Sequence, residues 1–410
     1  MSADLAGSTS SSETICCPLC VDAEGALLRA NPIVEAWFAL LRSRPAMALL
    51  ALGRLVRGGT RAFADHVAAR TEFAAARLPY DETVLNRLQQ ARAGGRTIAL
   101  VTALQALGIE GEVITTPYSF VATVHSLVWN RIEPVFVDID PHSCNLDPRA
   151  IEAAITPRTT AILPVHCYGT PCAVDEIQAV ADRHGLRVLY DAAHAFGVRQ
   201  HGRSLLAHGD MSVLSFHATK VFQTFEGGAV ICRDARSKAQ VDYLKNFGFA
   251  NEVTVVATGI NGKMSEVNAA FGLLQLEHVD QALALRAAVD ARYREQLALV
   301  EGVHCLPRAP VDTDNHAYFP VLVTAGETVR DRVYAYLRQH GVFARRYFYP
   351  LISDFPMYRN LPSAAPERLP VARSVAQQIL CLPIFPDLPL DKVDEICRLL
   401  ALALESRHAA

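Results

Sequence analysis

From Gly111 onward the chain alternates short apolar runs with longer stretches, and this rhythm limits its fold more than any other feature. The runs are Val113–Thr116, Glu133–Val137, Thr160–Pro164, Arg187–Asp191 and Ser212–Phe216, each bounded by Pro, Gly or Asp. Parallel neighbours in a sheet need a crossover connection, and the stretches between the first four runs are long enough to carry crossover helices. The pattern predicts an α/β fold, with a mostly parallel sheet covered by helices on both faces. A long amphipathic helix is expected from about Ser265 to Val300, opening on the cap-like pair Ser265-Glu266. The region from about His304 to the end reads as a smaller α+β domain, and no internal repeat is visible.

The part before Gly111 has a different texture. The first residues (1–14), rich in Ser, Thr, Ala and Gly, read as a disordered tail. Cys16–Leu28 resembles a short strand running into a Gly turn. Helical periodicity then dominates from about Pro32 to Ala93. Gly94-Gly95 should break it, and Thr97–Thr102 reads as a β-type apolar run. With 51% apolar and 20% charged residues, most of the 410-residue chain should fold into globular layers. A formal net charge of −3 gives no electrostatic reason to expect nucleic acid or an anionic membrane. Ten scattered cysteines are unlike a small disulfide scaffold, and no basic region precedes an apolar stretch as in a secretory signal. The apolar segment Ala46–Leu55 is closed by Arg54 and Arg57, well short of a membrane span. A soluble, reducing, cytoplasmic setting is expected.

Lysine is scarce: Lys220, Lys238, Lys245, Lys263 and Lys392 are the full set. Lys220 stands apart, because it follows an apolar strand in Ser215-Phe216-His217-Ala218-Thr219-Lys220 and precedes Glu226-Gly227-Gly228. A lysine at the exit of a buried strand is placed for the depressed pKa that a Schiff-base amine needs; taken alone, a surface lysine is an equal reading. A second strand ends in Asp191-Ala192-Ala193-His194-Ala195, and open α/β sheets bind ligands at the carboxyl ends of their strands. A carboxylate there can serve a pyridinium nitrogen or simply cap a helix. Thr115 through Thr123 follows another strand and offers the aromatic ring of Phe120. Asn261-Gly262-Lys263-Met264-Ser265-Glu266 opens a helix with donors suited to a phosphate.

In this order these elements resemble the DegT/DnrJ/EryC1/StrS family of PLP-dependent sugar aminotransferases, over roughly residues 103–405. The most specific matches are Ile114 through Thr123, Pro134 through Asp140, Asp191 through Ala195, Ser215 through Gly228, Gly259 through Glu266, and Ala344-Arg345-Arg346-Tyr347-Phe348. The resemblance implies a PLP-dependent transferase fold of type I, with a large cofactor domain over 103–303 and a small C-terminal domain over 304–410. It implies pyridoxal 5'-phosphate held covalently by Lys220, with Asp191 on its ring nitrogen, Phe120 stacked on the ring and His194 beside it. Ser215 would hold the phosphate, helped by Asn261 from a second subunit, so a homodimer is implied. His217, Arg346 and Tyr347 are candidates for substrate contact, and no metal is expected. The implied reaction moves an amino group, from glutamate, to a nucleotide-linked keto-deoxysugar. Such sugars serve cell-surface polysaccharides or secondary metabolites. Members acting as dehydratases carry histidine in place of the lysine, so Lys220 favours transamination.

The family's first segment ends in a Ser/Asn-Gly-Thr turn that cradles the cofactor phosphate with backbone N–H groups. Here Thr97–Thr102 runs directly into Ala103–Ile109, which resembles only the end of the helix after that turn. The segment 15–102 is instead similar to part of a haloacid-dehalogenase (HAD) phosphatase. Cys20 through Leu28 matches its first motif, with Asp22, read as an inert remnant, in the place of that family's nucleophile; Leu78-Pro79-Tyr80 continues the match, and Thr102 fits its second motif at a strand end. Glu24 and Ala26 depart from that pattern, which argues against phosphatase chemistry. Cys17 and Cys20 have CxxC spacing without a second pair to complete a zinc site. The competing reading is an impaired fusion that keeps the aminotransferase fold but lacks the phosphate-binding turn.

Overall fold

The computed structural model describes residues 94–405, together with Met47, Leu50, Ala51 and His66. The chain divides into two compact units, Met1–Ala93 and Gly94–Ala410. The expected tail, the Cys16–Leu28 strand, the Cys17/Cys20 pair and the first HAD-like motif lie outside the described residues. So does most of the helical stretch to Ala93, of which the four residues above are helical.

The second unit opens on helix α1, Gly94–Ala106. This corrects the sequence reading in two respects: Gly94-Gly95 opens the helix rather than interrupting the chain, and Thr97–Thr102 is not a strand. Ile98, Val101 and Thr102 gave the run its β character, but tertiary burial outweighs such propensity. Leu100, Ala103 and Leu104 recur at helical spacing on a fully buried face. Thr102 Oγ1 donates to the Ile98 carbonyl one turn back at 2.9 Å, a bond available only in a helix. Thr102 therefore does not end a strand as the HAD-like motif requires, and the helix runs through 102 and 103 unbroken.

Six strands follow: β1 Glu112–Thr115, β2 Glu133–Phe136, β3 Thr159–Leu163, β4 Arg187–Asp191, β5 Met211–Ser215 and β6 Gly228–Cys232. They form one sheet in the order β2-β1-β3-β4-β5-β6. The first five are parallel, and β6 joins antiparallel to β5, with Ser215 opposite Gly228. Helix α2, Ala122–Trp129, carries the chain from β1 to β2, and α3, Val174–His184, from β3 to β4. Side chains alternate across the pleat, so Val113 joins Leu100, Leu104 and Leu127 on one face. Ile114 joins Val188, Ile177 and Val180 on the other. Helices thus cover both faces, as the rhythm of apolar runs predicts.

Beyond β6 lie α4, Ala235–Leu244, then α5, Glu266–Leu276, and α6, Val279–Leu297. The expected single helix to Val300 is therefore two. Ser265 does cap the first, accepting the Asn268 N–H. The chain leaves helical geometry at His278, with φ −115° and ψ 0°, and α6 then buries Val289, Tyr293 and Leu297 in the C-terminal core. That core holds an antiparallel sheet of β7 Val303–Cys305, β8 Phe319–Val323 and β9 Ile379–Leu382, with β8 central. Helices α7 Glu327–Gln339, α8 Pro370–Gln378 and α9 Leu390–Glu405 complete it. No helix among the described residues is long and apolar enough to cross a membrane.

Gly111, just ahead of β1, sits at φ +69°, and a Cβ there would lie 2.5 Å from the Arg158 carbonyl oxygen. Its own carbonyl accepts the Glu133 N–H at 2.9 Å, which registers β2. Gly111→Ala should therefore lower unfolding free energy by about 2–3 kcal/mol in denaturant titration. A loss within about 0.5 kcal/mol would show that this turn relaxes freely.

Candidate active site

The carboxyl ends of β1, β3, β4 and β5 meet along one edge of the sheet, and the polar side chains of interest gather there. Asp191 ends β4 with no exposed surface. Its Oδ2 accepts Thr123 Oγ1–H at 2.8 Å, and its Oδ1 accepts the Ala193 N–H at 3.2 Å. Thr123, at the start of α2, is in turn 2.9 Å from Ser119 Oγ. A buried carboxylate is tolerated only with such donors.

Three residues on, His194 is also buried. Its Nδ1 accepts the Tyr168 N–H at 3.1 Å, so the neutral ring carries its hydrogen on Nε2. That nitrogen faces Tyr318 Oη at 3.4 Å, and Lys220 Nζ lies 3.4 Å from the same oxygen. Lys220, His194, Tyr318, Ala193, Phe196 and Ala317 line one small cavity. Asn315 fixes this arrangement from beneath. Its Nδ2 donates to the carbonyls of His194 and Phe196 at 2.7 and 2.9 Å, and its Oδ1 accepts the Ala317 N–H at 3.1 Å. Only a glycine fits at 169, where a Cβ would stand 2.7 Å from Asn315 Oδ1 and 3.0 Å from the His194 carbonyl.

An aromatic wall closes one side. Tyr118 Oη and Tyr168 Oη share one hydrogen bond at 2.7 Å, and the pair's second hydrogen is donated to the Tyr347 carbonyl, which lies within reach of both hydroxyls. Burial pushes both phenols well above their ordinary range, so they stay neutral donors. The Phe348 ring lies parallel to the His194 ring at 6.1 Å, and the Tyr347 ring is 6.1 Å from that of Tyr318.

The structure thus brings Lys220, His194 and Tyr347 together around Tyr318, with Asp191 on the strand end beside them. Ser215, buried at the end of β5, accepts the His217 N–H at 3.4 Å. His217 Nδ1 is 2.9 Å from Thr219 Oγ1, and its Nε2 is 3.8 Å from Glu226. Phe120 is 37% exposed on the turn before α2. Asn261 lines a second cleft of about 670 Å³ with Gly227, Gly228, Lys245, Lys263 and Thr102 of α1. The Arg346 guanidinium donates to Asp331 at 3.0 Å and lies over the rings of Tyr334 and Tyr349. Sequence reasoning missed Tyr318, Asn315 and Tyr168. Tyr168 follows the end of β3, where the strand-end rule could have found it. Nothing local marks the other two.

Residues 93–401 match the DegT/DnrJ/EryC1/StrS aminotransferase family. The chain belongs to this family.

Its fold is the type I fold of PLP-dependent transferases, as the large parallel sheet and the small C-terminal sheet show. The chain is 53% identical over 306 residues to the dTDP-4-amino-4,6-dideoxy-D-glucose transaminase of Escherichia coli, covering 74% of this chain and 82% of that protein. It superposes on DesI, solved in the presence of its TDP-sugar product, with a TM-score of 0.71 and 38% identity. That match covers 80% of this chain and 86% of DesI. It also superposes on NtdA from Bacillus subtilis with bound cofactor PMP, with a TM-score of 0.69 and 27% identity, over 75% and 72% of the two chains. The DegT/DnrJ/EryC1/StrS match opens at residue 93, one residue before α1. The helix begins at Gly94, and its first-turn N–H groups are those a helix N-terminus offers to an anion.

His166, after β3, is fully buried, stacks on Tyr190 at 4.7 Å, and accepts the Cys172 N–H at Nδ1. Burial, reinforced by His208 and opposed by Asp191, pushes its pKa down to about 3. The folded state therefore holds it neutral, while the unfolded chain binds a proton below about 6.5. Full stability is present above pH 6.5 and is lost as pH falls toward 3, by up to about 1.4 kcal/mol per pH unit. Urea titrations of wild type and His166→Gln across that window should show a shallower slope in the variant. Identical slopes would remove His166 from the acid response.

Proposed function

We propose that this protein is a PLP-dependent aminotransferase that carries an amino group from glutamate to a nucleotide-linked 4-keto-6-deoxyhexose. The observation that carries this reading is the pairing of a buried carboxylate and a primary amine on neighbouring strand ends, Asp191 after β4 and Lys220 after β5. The donor set fits the cofactor. A protonated pyridine supplies the cation that a buried carboxylate favours, and an aldehyde is the group a lysine amine captures. When bound, the cofactor supplies an electron sink for the substrate carbon.

The chain's own residues do the rest. Asp191, oriented by Thr123 and the Ala193 N–H, holds the ring nitrogen in its protonated form. Phe120 would cover one ring face and His194 would stand beside the ring. Ser215 and the first-turn amides of α1 hold the phosphate, with Asn261 contributed by a second subunit. Lys220 Nζ would hold the cofactor covalently and, once released, would carry the proton taken from the substrate carbon. Tyr118, Tyr168 and Phe348 keep water from that transfer. His217 and Tyr347 stand at the rim for substrate contact. Arg346, engaged with Asp331, is assigned instead to ordering the Tyr347–Tyr349 segment.

The 53% identity with an enzyme named for dTDP-4-amino-4,6-dideoxy-D-glucose supports the substrate class. The beginning of α1 at Gly94 supports a working site over an impaired remnant. A second copy of the chain is the proposed partner. It would cover the exposed apolar residues of α5 and the preceding loop: Val253 is 87% exposed, Val267 75%, Leu273 67% and Leu274 59%.

With PLP and glutamate, the purified protein should convert dTDP-4-keto-6-deoxyglucose to the 4-amino sugar with stoichiometric 2-oxoglutarate. Lys220→Ala should lower the rate by about 10³-fold or more. Glutamate left unconsumed with nucleotide-linked keto sugars would overturn the assignment. Sedimentation should give a dimer, and Leu273→Arg with Leu274→Arg should give monomers that retain PLP poorly. A wild-type monomer that holds PLP would remove the shared site.

A further inference from the structure

Tyr347 and Phe348 line the site, while the next residue, Tyr349, meets a series of guanidiniums and rings on α7. Two guanidiniums lie over the Tyr349 ring, Arg330 at 4.4 Å and Arg346 at 5.3 Å from its centre. Arg346 also lies over the Tyr334 ring at 4.6 Å, and Arg338 over the rings of Tyr334 and Phe343 at 5.6 and 5.2 Å. The series therefore runs from Arg330, fully buried, to Phe343, 61% exposed. Each cation meets the negative face of a ring, an attraction that strengthens toward the buried end.

Carboxylates lock the buried end. Asp331 Oδ1 accepts from Arg330 Nε at 2.7 Å and from Arg346 Nη1 at 3.0 Å, so one oxygen joins both arginines. The Tyr349 hydroxyl donates to Glu327. Arg330 Nη1 donates to the Ala376 and Ile379 carbonyls at 2.8 and 3.4 Å, which ties the cluster to the junction of α8 and β9. A guanidinium so buried persists only with acceptors of this kind. Glu327, Arg330, Asp331 and Tyr334 follow one another at three- and four-residue spacing, so one face of α7 supplies them. The backbone is secured on either flank. Arg345 and Cys381 of β9 exchange N–H···O bonds at 2.9 and 2.7 Å, the Tyr349 N–H closes a turn on the Arg346 carbonyl at 2.8 Å, and the Ile352 N–H donates to the Pro117 carbonyl at 3.0 Å.

We propose that Tyr349 is a positioning residue of this site: held by Arg330 and Arg346, it sets where Tyr347 and Phe348 stand and so how the nucleotide-linked keto sugar fits. The proposal rests on the reading that Tyr347 contacts that substrate at the rim. A wall that is already ordered costs the substrate less to bind, so loosening it weakens binding more than it slows the chemical step. Tyr349→Phe keeps the ring under both guanidiniums and gives up only the bond to Glu327. Tyr349→Leu removes the ring, and Arg346→Gln removes one of the two cations from the side that solvent reaches.

The test pairs amide hydrogen exchange over residues 344–352, measured without substrate, with KM and kcat for dTDP-4-keto-6-deoxyglucose in the presence of PLP and saturating glutamate. Y349L and R346Q should speed exchange of the Tyr349 amide about tenfold and raise KM about fivefold, with kcat within about twofold of wild type. Y349F, which keeps the ring, should match wild type in both readouts. Unchanged exchange in a folded Y349L overturns the proposal, and so does faster exchange with an unchanged KM. If Y349L does not fold, either of those results in R346Q overturns it. A wild type that consumes no nucleotide-linked keto sugar removes the substrate reading; exchange quickened in Y349L but not in Y349F still upholds the hold on Tyr349.

Discussion

A carboxylate with no exposed surface, Asp191 at the end of β4, is the constraint around which the rest of the site is arranged. Burying that charge requires donors, and the fold delivers them from separate elements. Thr123 comes from the start of α2, steadied by Ser119, and the Ala193 N–H from the turn after β4 itself. On the neighbouring strand, the His166 N–H donates to the Asp191 carbonyl at 3.1 Å, which registers the two strand ends where the chain leaves the sheet. The parallel sheet matters because it gathers these ends, and only these ends, along one edge.

A second layer comes from the C-terminal domain. The strand entry at Asn315–Tyr318 and the segment Tyr347–Phe348 both reach back to the large-domain edge, the first through His194 and the second through Tyr118 and Tyr168. Tyr168 adopts φ +59°, a conformation costly for a non-glycine residue. Its N–H, its hydroxyl and its ring are all engaged, at His194, the Tyr347 carbonyl and Phe348. A strained residue so fully held marks where the two domains share responsibility for the site.

The five parallel strands of the large sheet were legible from sequence to within about a residue, because each apolar run is short and bounded by turn residues. Asp191 ends such a run and Lys220 lies five residues beyond another, so strand position places both toward the carboxyl edge of the sheet. Helix α1 was misread because Gly94-Gly95 and the β-branched Ile98, Val101 and Thr102 look locally like a break and a strand. The buried stripe of Leu100, Ala103 and Leu104 decides otherwise only once the sheet is present. The break at His278 and the roles of Asn315 and Tyr318 had no local signal. Asn315 and Tyr318 gain their contacts from residues distant in sequence, at His194 and Lys220, and Arg346 meets Asp331 from another element of the C-terminal domain.

The central claim is that one lysine of the chain's five is built to bind the cofactor covalently. Incubating the protein with PLP, reducing with borohydride, digesting and locating the added mass tests it most directly. The account predicts a single modified peptide, the one containing Lys220. Modification spread over Lys238, Lys245, Lys263 and Lys392, or none at Lys220, would contradict it.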